Sequence, residues 1–61
     1  MKFKIDIYTD NDAFGDCPTE RNAELARILE KTAKELLLYD GEFKWLHDSN
    51  GNKVGSMEFL K

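Results

Sequence analysis

The chain has a single cysteine, Cys17, so it cannot close an internal disulfide. Secreted domains of this size ordinarily carry several such bridges, and a reducing compartment is expected instead. No stretch approaches the roughly 18 consecutive apolar residues that span a bilayer, and no basic, apolar, small-residue leader opens the sequence. Membrane and secretory addresses are thus not expected, and the expected location is cytoplasmic. Basic charge is also short. Nine Lys and Arg face twelve Asp and Glu, a formal net charge of −3, which gives no attraction to a phosphate backbone and makes nucleic acid a poor partner. Internal repeats, low-complexity tracts and interdomain linkers are absent. What remains is one domain of 61 residues. A chain this short buries only about 60% of the surface its unfolded form exposes, so its core is small and self-association would stabilise it.

Two periodicities organise the sequence. Lys2 to Thr9 alternates strictly, with Phe3, Ile5 and Ile7 on one side and Lys2, Lys4, Asp6 and Tyr8 on the other, as in a strand with one buried face. From Thr19 to Tyr39 the period becomes helical. Leu25, Ile28, Leu29, Thr32, Ala33, Leu36 and Leu37 form one stripe, opposite Glu24, Arg27, Lys31, Lys34 and Glu35. Asp40-Gly41 is expected to end this helix, with glycine in the left-handed conformation. Glu30–Lys34 and Lys31–Glu35 are spaced for ion pairs along it.

Glu42–His47 and Lys53–Leu60 flank Asp48-Ser49-Asn50-Gly51-Asn52, a strong hairpin signal. A two-residue Asn50-Gly51 loop would set Trp45 beside Ser56 and Phe43 beside Glu58. A three-residue loop, with a type I turn and a left-handed Gly51, would instead pair Phe43 with Met57, Trp45 with Gly55 and Leu46 with Val54, and is preferred. The expected fold is α+β, strand-helix-strand-strand, with one amphipathic helix on a three-stranded sheet. Placing the third strand in the middle makes both pairs antiparallel, the favoured order. The expected core is Phe3, Ile5, Ile7, Leu25, Ile28, Leu29, Leu36, Phe43, Trp45, Met57 and Phe59.

Thr9 to Glu20 collects Asp10, Asp12, Asp16 and Glu20 with Gly15, Cys17 and Pro18. A calcium loop would need an oxygen ligand where Phe14 stands and a glutamate where Arg21 stands, so the match fails at two ligand positions. Cys17 lacks a nearby base, since His47 is the only histidine and nothing in its spacing brings it close. The loop reads best as a connector: Asp and Asn suit turns, Pro18 suits the first helical turn, Asp16, Thr19 and Glu20 complement the helix N-terminus, and Phe14 drops into the end of the core. No phosphate-cradling glycine loop, paired catalytic carboxylates or nucleophile motif is present. The expectation is therefore no enzyme, no catalytic residue, no cofactor and no metal.

One helix covers one face of the sheet. On the other, Tyr8, Leu46, Val54 and Leu60 would lie among charged groups, and Leu38 also points away from the helical stripe. These five are the expected contacts for a protein partner or a second copy of the chain. The alternative function is binding of a small ligand or cation by Asp10, Asp12 and Asp16.

Asp10, Asn11, Ala13 and Phe14, then Glu24 to Leu29, then Asp48, Asn50 to Asn52, Val54 and Gly55 together form a pattern that resembles a group of small proteins encoded by bacteriophages and prophages. The likeness spans Ile5 to Val54. It brings no activity with it. It implies a bacterial or phage-infected cytoplasm, where small acidic proteins often act by binding a host or phage component.

Overall fold

A computed structural model describes residues 1–61. Strand β1 (Lys2–Ile7) leads through a short 3-10 turn at Asp12–Phe14 into helix α1 (Pro18–Leu36), followed by strands β2 (Phe43–His47) and β3 (Lys53–Leu60). The sheet has the order β1-β3-β2 and is antiparallel throughout. The α+β fold and the central third strand are those the patterning implied.

Pro18 occupies the first turn of α1, where its missing N–H costs nothing. Glu20, two residues further along, reaches back to accept the Asp16 backbone N–H at 3.0 Å. The helix ends at Leu36, earlier than expected, and Gly41 does not have a positive φ. The last turn tightens instead, through Leu38 N–H to Glu35 O and Tyr39 N–H to Leu36 O. The Tyr39 hydroxyl then donates to the Phe43 carbonyl, fastening the turn to β2.

The face α1 buries is rotated from the expected stripe. Glu24, Ile28 and Thr32 are its buried residues, with Leu25 and Leu36 half-buried, while Leu29, Ala33 and Leu37 are exposed. The reason is polar. Glu24 is bound by the Arg27 guanidinium at 2.8 and 3.0 Å and by the Ser49 N–H at 2.8 Å, and Glu35 is held by Lys44 of β2 at 2.9 Å. Ser49 of the hairpin turn and Lys44 of β2 thus hold the glutamate side of the helix against the hairpin. The helical pairs Glu30–Lys34 and Lys31–Glu35 do not form; Glu35 is taken by Lys44.

The hairpin requires a second correction. Its turn is as expected: Gly51 N–H donates to Asp48 O, Asp48 N–H donates to Asn52 O, and Gly51 has φ 83°. The ladder beyond is not. Leu46 pairs with Gly55 but His47 pairs with Lys53, so Val54 is an extra residue, a β-bulge. The bulge shifts the remaining pairs by one, to Trp45–Ser56, Lys44–Met57 and Phe43–Glu58. A shift of one residue exchanges the two faces of a strand. Leu46 and Val54 therefore turn inward and are 3% and 5% exposed, whereas Phe43 and Trp45, expected in the core, turn outward. The core consists of Phe14, Ile28, Leu46, Val54 and Met57, with Ile5, Ile7, Leu25, Leu36 and Tyr39 packed around it. Phe14 is fully buried, seated as the connector reading required.

Candidate interaction surface

The sheet face opposite α1 is uncovered. Alternation places Lys2, Lys4 and Asp6 of β1, Ser56, Glu58 and Leu60 of β3, and Phe43 and Trp45 of β2 on it. Two cross-strand rows result, Lys4–Glu58–Phe43 and Asp6–Ser56–Trp45. The face thus has a charged column on the β1 side and an aromatic column on the β2 side. Lys4 and Asp6 pair at 3.3 Å within the charged column. The Phe43 and Trp45 rings meet edge to face, with centroids 4.8 Å apart, and each leaves more than two fifths of its surface in solvent. Lys53 Nζ lies 4.2 Å from the centroid of the Trp45 ring, a cation held against its π face. Tyr8, 75% exposed, continues from β1 and lines a shallow depression with Trp45, Asp6 and Ser56.

Of the five residues expected to bind a partner, the sheet face keeps Tyr8 and Leu60. Leu46 and Val54 are withdrawn from it by the bulge and belong to the core. Leu38 is exposed, but in the turn after α1 beside Leu37. Phe43 and Trp45 take the place of Leu46 and Val54. A signal for this exchange stood in the sequence: an isolated glycine inside a strand pattern, here Gly55, marks a bulge or a close backbone approach.

Asp10, Asp12 and Asp16 are all exposed. Asp10 and Asp16 line one open depression with Arg21 and Cys17, while Asp12 begins the 3-10 turn and is not part of it. No group of three His, Cys, Asp or Glu side chains converges as a metal site would. His47 is exposed at the end of β2.

The buried polar groups hold the connector in place. Asp48 accepts the backbone N–H groups of Asn50 and Asn52 at 2.9 and 2.8 Å and the Asn11 amide at 2.7 Å. Burial of Asp48 works against its ionised form, yet the Asn52 and Asn50 N–H groups and the Asn11 amide outweigh it, and its pKa is lowered. The Arg27 guanidinium, opposed by burial and aided by the Ser49 N–H, lowers the pKa of Glu24. The Asp16 N–H, with the Cys17 thiol, does the same for Glu20. Those of Glu24 and Asp48 are almost fully buried and accept bonds that tie helix, connector and hairpin together, while Glu20 is exposed.

No family model, curated protein or solved structure matches the chain. No helix is long and apolar enough to cross a membrane. Tyr8, Phe43 and Trp45 give the open sheet face its exposed aromatic surface.

Proposed function

We propose that this chain is a non-enzymatic accessory protein of the phage type, acting in the cytoplasm by binding protein through its open sheet face. The observation that carries this reading is the outward pair Phe43 and Trp45, stacked edge to face beside Tyr8 and bordered by Lys53, Lys4, Asp6 and Glu58. A domain with only five buried apolar residues leaves its tryptophan half exposed. Tryptophan and tyrosine are the side chains most often responsible for binding energy at protein interfaces, and a charged rim around an apolar centre is the usual anatomy of such sites. The resemblance to small phage and prophage proteins agrees with an interaction role.

The test is affinity capture from lysate of the source bacterium with wild-type protein and Trp45→Glu, bound material being identified by mass spectrometry. Trp45 is not part of the core, so the variant is expected to retain the wild-type circular dichroism spectrum. A stoichiometric protein retained by wild type and lost with Trp45→Glu is the expected result. Equal retention by both forms would move the site away from this face.

A further inference from the structure

We propose that the free edge of β1 pairs with β1 of a second copy of this chain, strand against strand about a two-fold axis at Ile5, so that two three-stranded sheets join edge to edge into one. The contact makes no use of Phe43 or Trp45 and stands apart from the reading above.

Backbone direction identifies the edge. The Tyr8 N–H donates to the Val54 carbonyl at 2.8 Å, and in an antiparallel ladder such bonds recur at every second residue. Lys2, Lys4, Asp6 and Tyr8 therefore turn their backbone groups to β3, and Phe3, Ile5 and Ile7 turn theirs away. No turn, loop or cap hydrogen bond reaches residues 2–7, so these outward N–H and C=O groups have no partner within the chain. A row of this kind is a template for another strand, and β1 has neither the proline nor the bulge that would spoil it. The edge of β2 is different. The Phe59 N–H donates to Glu42 O, which turns the backbone groups of Phe43 away from β3, and there the Phe43 carbonyl is already taken by the Tyr39 hydroxyl.

The side chains of β1 make its own sequence the matching strand. With the axis at Ile5, Ile5 meets Ile5 of the second copy and Phe3 meets Ile7 on the helix side, while Lys4 meets Asp6 of the second copy, twice over, on the open side. The intrachain Lys4–Asp6 pair, 3.3 Å long with both side chains exposed, is kept. Each of its charges gains a second neighbour of opposite sign, and the four alternate in sign around the axis. Sliding the strands by two residues, the smallest step that preserves the hydrogen bonding, sets Lys4 on Lys4 in one direction and Asp6 on Asp6 in the other. The charges thus select one register. Phe3, 41% exposed beside Phe59, is covered by Ile7 of the second copy, and the half-buried Ile5 by its counterpart.

The outward residues Phe3, Ile5 and Ile7 form hydrogen-bonded pairs that exchange about six main-chain bonds, and such bonds, more than area, supply the affinity of a strand added at an edge. The contact is small, and the dimer is expected to form between roughly 10 μM and 1 mM. It closes at two because both copies use the same edge.

Two measurements test this on the folded chain. Amide hydrogen exchange followed by NMR on wild type should slow several-fold at Phe3, Ile5 and Ile7 as concentration rises through that range, with Lys4, Asp6 and Tyr8 protected throughout. Sedimentation equilibrium should show wild type and Trp45→Glu passing from monomer to dimer and stopping there. Lys4→Asp and Asp6→Lys, each checked for folding by circular dichroism, should weaken self-association about tenfold or more, and an equimolar mixture of the two should recover it, since each then supplies the charge the other lacks. A wild-type chain that stays monomeric or grows beyond the dimer overturns the proposal. So does exchange at Phe3, Ile5 and Ile7 that ignores concentration, a mixture no better than its components, or a dimer lost with Trp45→Glu and kept with Lys4→Asp.

Discussion

Asp48 is the residue on which the loops of this protein converge. It accepts bonds from its own hairpin turn and from Asn11 of the β1–α1 connector, 37 residues away in sequence. Nearby Glu24 binds the Ser49 N–H, so helix, connector and hairpin are joined by two carboxylates that are almost fully buried. Both have pKa values lowered in the folded state. A lowered folded-state pKa contributes stability that is present above the unfolded value, near 4 for a carboxylate, and is lost as pH falls through the folded-state value. Thermal unfolding followed by circular dichroism should therefore show a midpoint that is steady near neutral pH and falls steeply below about pH 4. Asp48→Asn should be destabilised at neutral pH and less sensitive to acid, the two curves converging at low pH. Curves that run parallel would show that Asp48 is not one of the groups responsible.

At the scale of elements, the bulge at Val54 decides which aromatic groups are seen by solvent. Gly55, the next residue, lets β1 close on β3. A Cβ at this position would collide with the backbone carbonyl oxygen of Asp6, so β1 lies against the glycine itself. Gly55→Ala should break the β1–β3 ladder and cost about 3 kcal/mol or more in urea unfolding. Gly51→Ala is the useful contrast: open space surrounds that position, but its φ of 83° favours glycine, so the cost should be about 1 kcal/mol. Similar costs at both positions would remove the steric explanation. The type and order of the elements could be read from sequence because two strong periodicities and an Asn-Gly turn mark them independently of tertiary contacts. The faces of Phe43, Trp45, Leu46 and Val54 do not follow from the sequence pattern, because the turn alone does not set the register when an extra residue follows it. The rotation of α1 was hidden for another reason: beside Arg27 on its own helix, Glu24 is held by the Ser49 N–H of the hairpin turn, 25 residues away in sequence. The candidate site was accordingly half visible, with Tyr8 and Leu60 on the open face and the Phe43–Trp45 pair missed.

Seen whole, the molecule is an elongated two-layered body measuring 36 × 19 × 18 Å, with a helix on one side of a sheet and solvent on the other. Its small buried core predicts a urea m-value of about 1 kcal/mol/M or less, at the bottom of the range for small domains.

The strand order has a consequence for how the chain folds. β1 and β2 do not touch each other; both find their ladder partner only in β3, with Lys2 lying opposite Leu60. Until β3 is in place, β1 has both of its edges bare, and no part of the sheet can close before residues 53–60 join it. Folding of the sheet thus waits on β3, and until then the chain presents an unpaired β1 to which another extended segment can add.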